Sequence, residues 1–413
     1  MSVTAPAGFT AAGVAAGTKP DGAPDLALVV NEGPSLAAAG VLTTNRVKGA
    51  PVLWTEQVLR GGAVAAVLLD SGCANACTGP LGFQDAHAAV EHVAHALDLN
   101  AAQVAVAATG PMGVRPALER LLPGVDLAVE RLSEFGGERA ARAIMTTDTQ
   151  PKTAAVRGGS GAPGGSGTGG DGRGGGGTGG AVGAGWTVGG MAKGGAMLAP
   201  SLATLLVVLT TDADVPAPEL DRALRAATRA TFERIDADGV SSTNDTVLLL
   251  ASGASQTVPE PGEFAAAVRA VCADLARQLV KDAEGATKEI VVEVRGAAGE
   301  EEALAVGRAV AGDALVKAAL HAEDPAWPRV VAAVGASGVE VEPHRLAVAV
   351  NGVWVCRGAA PADDPAAVDL RFREVTLTVD LGAGDGSATV LTSDATAATA
   401  APTTVVAPPT RPR

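Results

Sequence analysis

Residues 186–213 read WTVGGMAKGGAMLAPSLATLLVVLTTDA, and the fold turns on how that string divides. Its end, residues 205–211 (LLVVLTT), is dense in aliphatic and β-branched side chains, which suit a pleated, buried surface, so a strand is expected there. Its start, residues 186–188, reads as a strand end, as do residues 153–156 on the far side of a Gly-rich tract. That tract, residues 157–185, is almost all Gly with Ser, Thr and Ala. It cannot bury enough apolar surface to offset the entropy of ordering. A long hairpin with a mobile tip is therefore expected, rather than a domain linker. The tract carries G-x-G-x-x-G-like runs, but a dinucleotide fingerprint must follow a strand and open a helix, and this one opens none. A Thr entering an apolar strand is ordinarily just a strand residue. Thr204 is set apart by what precedes it: Lys193 between small residues, then Pro200 and Ala203. Gly and Pro there favour a tight, strained approach to the Ala203–Thr204 bond.

Outward from this string, residues 26–31 (LALVVN) and 63–70 (AVAAVLLD) read as buried strands. A turn-rich loop, SGCANACTGP, leads to a helix over about 83–97, where Phe83, Val90, Val93, Ala94 and Leu97 fall near helical spacing. A short strand over 104–108 runs into Thr109-Gly110-Pro111-Met112-Gly113. Downstream an amphipathic helix is expected over about 218–235, with Pro218 near its first turn. Then come a strand over 246–251, a helix over about 262–280 and a strand over 289–294. Late strands are expected at 347–350, 353–356 and 375–381, and the Ala/Thr/Pro-rich tail from about 395 is expected to be disordered. Alternating helices and strands argue for an α/β architecture.

The 413 residues suffice for two or three lobes, and 47% hydrophobic against 18% charged residues allows a sizeable core. There is no Tyr and aromatics are only 2%, which leaves few platforms for stacking nucleic-acid bases. A net charge of -14 repels phosphate backbones and anionic lipid heads. Small-molecule chemistry in the cytoplasm is expected, with no nucleic-acid or membrane partner. The start of the chain has no basic region followed by an apolar core, and the longest apolar runs are too short to span a bilayer. Cys73, Cys77, Cys272 and Cys356 form no C-x-x-C pair and read as reduced, buried small hydrophobes. His87, His92 and His95 share one helix and face mostly solvent, so they do not supply the three or four convergent ligands of a metal site. Asp236-x-Asp238-Gly resembles the start of a calcium loop. Such a loop needs Gly at position 6 and Glu at position 12, where Ser241 and Val247 stand. No metal is expected.

The string MAKGGAMLAPSLATLLVVLTTDA resembles the signature of the ornithine acetyltransferase family. These are bifunctional arginine-biosynthesis proteins, glutamate N-acetyltransferases that also act as amino-acid N-acetyltransferases. Other blocks match in order: VTAPAGFTAAGVAAGTKPDGAPDLALVVN, TTNRVKGAPVLW, GCANACTGPLGFQDAHA, ATGPMG, IMTTDTQPKTAAV, GVSSTNDTVLLLASGAS and LVKDAEGATK. The resemblance runs from the N-terminus to about Ser393. It departs at Asp70 and Cys73, where the family carries Asn and Gly, and at the C-terminus, where the family's Asn-containing, Tyr-bearing tail is replaced.

The resemblance implies an α/β fold of stacked mixed β-sheets flanked by helices, of the self-processing N-terminal-nucleophile type (DmpA/ornithine acetyltransferase-like). It implies cleavage between Ala203 and Thr204, giving an α chain of residues 1–203 and a β chain of residues 204–413, assembled as two α and two β chains. Thr204 would then carry the acetyl group. Its freed α-amine, with an ordinary pKa of ~7.7–8.0, would act as base for its own hydroxyl, so no His is needed. Thr109 and Gly110 match the oxyanion-hole pair, although read alone they would be a simple turn. Lys193 matches a substrate-contacting Lys suited to a carboxylate. Thr146, with Thr147 as fallback, and Glu284 match further substrate contacts. Thr403 falls by offset alone near the position of the tail Asn. The implied reaction moves acetyl from N-acetylornithine to glutamate without a cofactor, and acetyl-CoA is a second donor that the family allows. Two alternatives are an amidase or aminopeptidase-like hydrolase using the same N-terminal Thr, and a catalytically impaired paralogue.

Overall fold

The computed structural model describes residues 2–159, 185–195, 205–237 and 242–394. The expected hairpin tip, apart from its ends, and the expected disordered tail lie outside those residues. In chain order the first part contains β1 (Phe9–Val14), β2 (Leu26–Asn31), β3 (Ala38–Leu42), α1 (Ala50–Leu59), β4 (Ala66–Asp70), α2 (Gly79–Leu97) and β5 (Val104–Ala108). There follow α3 (Leu118–Glu130), α4 (Gly137–Ala143), β6 (Lys152–Gly158), β7 (Trp186–Lys193), β8 (Leu206–Thr211), α5 (Ala217–Ala230), β9 (Thr246–Ala251) and α6 (Pro261–Lys281). The last part contains β10 (Glu289–Ala297), α7 (Glu300–Gly312), α8 (Ala314–His321), α9 (Trp327–Gly335), β11 (Ala347–Val350), β12 (Val353–Arg357), β13 (Ala360–Pro361), β14 (Glu374–Asp380) and β15 (Gly386–Ser393).

Three mixed sheets result, in the orders β1-β2-β4-β5, β3-β9-β8-β7-β6 and β13-β12-β11-β14-β10-β15. The first two stack face to face. Side chains alternate across a strand, so Ala27, Val29, Val67 and Leu69 point from the first sheet toward Met191, Leu206, Val208, Leu248 and Leu250 of the second. The opposite face of the first sheet, with Leu26, Leu28 and Leu68, packs on α2 and α3 through Val90, Val93, Leu121 and Val125. The opposite face of the second, with Val207, Leu209 and Leu249, packs on α5 and α6 through Leu220, Leu224, Val268 and Leu275. This four-layer order explains the continuous apolar runs: β2, β8 and β9 are buried at every position because both faces are covered. Each fully buried Leu or Val contributes about 1.5–3 kcal/mol. The third sheet is covered on one side by α7, α8 and α9 through Val306, Val310, Leu320 and Val334, and from Val375 on its β14 alternates between buried and half-buried positions.

The expected strands all appear, and β6 pairs with β7 antiparallel from Lys152↔Ala192 to Gly158↔Trp186, as a hairpin across the Gly-rich tract requires. Boundaries differ for local reasons. The strand expected from Ala63 begins at Ala66, because Ala63 forms an isolated bridge to Ala37 instead. The helix expected over 218–235 stops at Ala230, and Thr231, at φ -133 and ψ -87, turns the chain into a short 3-10 turn. Among the described residues no helix is long and apolar enough to cross a membrane.

Candidate active site

The layer order brings several strand ends to one edge. Asp70 and Ala108 end β4 and β5 of the first sheet side by side. In the second sheet Lys193 ends β7 opposite Leu206, which begins β8 opposite Thr246, the first residue of β9. Thr109 follows β5 directly and is 1% exposed. Its N–H donates to Asp70 O at 2.9 Å, which extends the ladder by one residue and fixes the direction of the next peptide. Gly110 then takes φ +124, and a Cβ there would lie 3.0 Å from Cys73 Cα and 3.1 Å from Cys73 N, so backbone meets backbone and only Gly fits.

Lys193 crosses from the second sheet to the first. Its Nζ donates to Thr109 Oγ1 at 3.3 Å, and the side chain is 2% exposed. Burial pulls this ammonium down to about 8. Asp148 and Asp245 favour its charge, and Lys152 and Lys19 oppose it. Lys193 is therefore a buried ammonium that holds its proton less firmly than an exposed lysine does.

Asp148 joins the neighbouring segments. Its Oδ1 accepts from Gly194 N at 2.9 Å and from Lys152 Nζ at 2.6 Å, and its Oδ2 accepts from Thr146 N at 3.1 Å. Burial pushes its carboxyl up, but Lys193, Lys152 and these donors outweigh that and hold it below the ordinary carboxylate range. Glu284 arrives through its backbone, with its N–H donating to Gly195 O at 2.7 Å. Thr147 is also close, since a Cβ on Gly195 would lie 2.7 Å from Thr147 Oγ1.

The structure thus brings together every expected site residue that it describes. Lys193 touches Thr109, Gly110 adjoins Thr109, Thr146 is one carboxylate away from Gly194, and Glu284 bonds Gly195. Ala203, Thr204 and Thr403 lie outside the described residues. Leu205, which follows Thr204 in sequence, donates its N–H to Asp245 Oδ1 at 2.9 Å.

Two residues here were passed over in reading the sequence. Asp245 is fully buried, and its Oδ2 has no hydrogen-bond partner among the described residues. Burial raises its carboxyl well above the ordinary range, with the Leu205 N–H and Lys193 offsetting only part of the effect. Asn244 donates from Nδ2 to Ala74 O at 2.6 Å and Ala108 O at 2.9 Å, tying the start of β9 to the end of β5. The adjacent amide and carboxyl in STNDT, just ahead of the apolar run VLLLA, were the available signal.

The helical histidines go elsewhere. His87 packs on Trp54 with ring centroids 4.8 Å apart, and His92 pairs with Asp126 at 2.7 Å. Among the described residues no group of three or more His, Cys, Asp or Glu side chains is placed to hold a metal ion. Cys73, Cys272 and Cys356 are buried, but Cys77, read as buried from the sequence, is exposed on its loop at φ +59.

Comparison with known proteins identifies the family. The ArgJ family matches residues 10–176 and 177–399. The arginine biosynthesis bifunctional protein ArgJ of Streptomyces avermitilis is 59% identical over 397 residues, covering 96% of this chain and 97% of that protein. The protein of the same description from Mycobacterium tuberculosis H37Rv is 51% identical, covering 95% and 93%. Among solved structures, the ornithine acetyltransferase of Mycobacterium tuberculosis complexed with ornithine matches at 48% identity over 50% of this chain and 96% of that one, with a TM-score of 0.40. With a match through residues 10–399 and relatives more than half identical along nearly their whole length, the chain belongs to the ArgJ family.

Proposed function

We propose that the protein is a self-cleaving acyltransferase of arginine biosynthesis that moves acetyl from N-acetylornithine to glutamate through an acetyl ester on Thr204. In the maturation step Thr204 Oγ1 attacks the Ala203 carbonyl carbon. The Ala203–Thr204 C–N bond breaks, the Thr204 nitrogen takes the proton, and water hydrolyses the resulting ester. Residues 1–203 and 204–413 become separate chains, and the Thr204 amine becomes the base for its own hydroxyl. In turnover that hydroxyl attacks the acetyl carbonyl of N-acetylornithine, and the proton passes through the amine to the departing ornithine nitrogen. The glutamate amine then attacks the ester and returns the hydroxyl proton. Thr109 Oγ1 and Gly110 N–H are the donors for the oxyanion in each step, and each such donor is typically worth about 3 kcal/mol in the transition state. Lys193 pairs with the substrate α-carboxylate, Thr146 and Glu284 contact the rest of the amino acid, and Thr403 is the tail contact. Acetyl-CoA serves as a second acyl donor, and no cofactor is needed. The working assembly is two α and two β chains in the cytoplasm, with small amino acids as ligands.

The contact between Lys193 Nζ and Thr109 Oγ1 supports this reading best, since it puts a buried cation beside the hydroxyl assigned here to the oxyanion. Intact-mass measurement of the purified protein tests it. Two chains divided at Thr204 are expected, with one uncut chain for Thr204→Ala, and N-acetylglutamate formed from N-acetylornithine and glutamate only by the cut protein. Two fragments from Thr204→Ala, or no acetyl transfer by folded and cut protein, would overturn it.

A further inference from the structure

Four charged side chains alternate in sign through the interior beside this site. Asp148 Oδ1 accepts from the N–H of Gly194, the residue after Lys193, at 2.9 Å, and its carboxylate is the largest electrostatic support for the Lys193 charge. Asp148 Oδ1 accepts from Lys152 Nζ at 2.6 Å, and Lys152 Nζ also meets Asp282 Oδ2 at 2.6 Å. Lys152 is 2% exposed and the Asp148 side chain 0%, so both charges have left water. Buried ion pairs add little net stability compared with apolar residues of the same volume, because desolvation offsets most of their attraction. What they do fix is position. Asp148 holds Thr146 N and Gly194 N, and Asp282 accepts from Thr149 N at 2.8 Å and from Thr149 Oγ1. Glu284 follows Asp282 by two residues and is itself bonded to Gly195 O. Among the described residues, the segments that carry Lys193, Thr146 and Glu284 are thus fastened to this row.

We propose that Asp148 is a positioning residue for acyl transfer: it supplies the countercharge for the Lys193 ammonium and, with Lys152 and Asp282 as struts, sets the spacing of Lys193, Thr146 and Glu284 that selects the length and charge pattern of the amino acid accepted. This rests on the assignment of Lys193 as the carboxylate contact. Lys193 is faced by Asp148 from the loop ahead of β6, Lys152 from β6, Asp245 from the segment ahead of β9 and Lys19 from the loop after β1. Of these, Asp148 is its chief support. Removing that negative charge leaves a buried ammonium that loses its proton at lower pH, so the defect is one of binding and is relieved by acid.

The test is steady-state kinetics of the full, cut protein with N-acetylornithine as donor at about pH 8 and about pH 6.5. For Asp148→Asn, KM is expected to rise about tenfold or more at the higher pH, since one pKa unit is a tenfold change in charge equilibrium. The gap should narrow at the lower pH, with kcat changed much less, and Asp148→Glu should recover part of the loss. Equal damage to kcat at both pH values, or an unchanged KM, would overturn the proposal. Asp282→Asn gives a second reading if Asp148→Asn does not fold, because its side chain is 13% exposed and Asp148 is left in place. It should raise KM for N-acetylornithine while leaving kcat largely intact, and an unchanged KM there counts against the struts. Lys193→Met separates the two ideas. If it leaves KM unaltered, the site assignment falls and this proposal with it. If it raises KM while Asp148→Asn does not, only the role given to Asp148 is wrong.

Discussion

Asp70 is a buried carboxyl at the strand end beside Thr109. It ends β4, is 4% exposed, and accepts from Gly72 N at 2.8 Å and from Thr18 Oγ1 at 3.4 Å. Burial pushes its carboxyl up to about 7, with the Gly72 and Thr18 donors pulling the other way and Asp25 adding to the push. The native chain therefore holds a proton here that the unfolded chain releases above about pH 4. The stability tied to this group is complete below that value and is lost as pH rises toward 7. Asp70→Asn keeps the acceptor for Gly72 N and removes the cost of ionisation. It is expected to stabilise the protein at about pH 8 by no more than ~4 kcal/mol, roughly three units at 1.36 kcal/mol each, and to change little at about pH 4. Urea midpoints at the two pH values check this, and a gain of equal size at both would rule out the electrostatic cause.

Between elements, the joint that matters most to the site is the one made by Asn244. Sheet stacking buries β5 and β9 against each other's layers but does not by itself register their ends. The Asn244 amide does so by donating to Ala74 O and Ala108 O across the gap, and Gly49 leaves room for it, since a Cβ on Gly49 would lie 2.3 Å from Asn244 Oδ1. Replacement by Ala leaves two buried carbonyls without those donors, at about 1–3 kcal/mol each. Asn244→Ala is expected to lose about 2–6 kcal/mol of stability in denaturant titration. Amide hydrogen exchange at Thr109 should speed up, because the peptide beyond β5 is no longer pinned. A variant within about 0.5 kcal/mol of the parent, as for an ordinary surface change, would show that the joint is redundant.

Across the whole molecule, the third sheet is tied at one end of β10 and β15 by a carboxylate. Asp394 follows β15, is 2% exposed, and accepts from Thr287 N at 2.7 Å, Lys288 N at 2.8 Å and Thr287 Oγ1, while meeting His321 Nδ1 at 2.7 Å. It joins the start of β10 to the ends of α8 and β15. Burial pushes its carboxyl up, but Thr287, His321 and the backbone donors hold it below the ordinary range. The stability it lends is present above the unfolded carboxylate value and fades as pH falls through the lower folded one. Asp394→Ala is expected to cost about 2–3 kcal/mol at neutral pH, the scale of hydrogen bonds to a charged group, and far less at about pH 3. Exchange should rise in β10 and β15 and stay slow in β4 and β5. Uniform loss of protection in all three sheets would mean that the layers unfold together and that Asp394 is no local clasp.

Read without coordinates, the chain already declares its wholly buried strands, the hairpin across the Gly-rich tract, and the Thr-Gly turn at the end of a strand. These follow from local chemistry, since apolar runs and Gly placement act within a few residues. Strands such as β1, FTAAGV, escaped notice because Ala and Gly have little strand preference of their own, and pairing with β2 makes the strand. The apolar runs said that both faces of a strand are covered, yet not by what. Stacking one sheet on another decided that, and with it which strand ends share an edge. Only that edge turns Asp148, Lys152 and Asp282, scattered and unassigned in sequence, into one charged row beside Lys193, and gives Asn244 and Asp245 their partners. The physical reason is that charges and amides act through distance in space, and burial sets how strongly they act, so their roles exist only once the layers have closed around them.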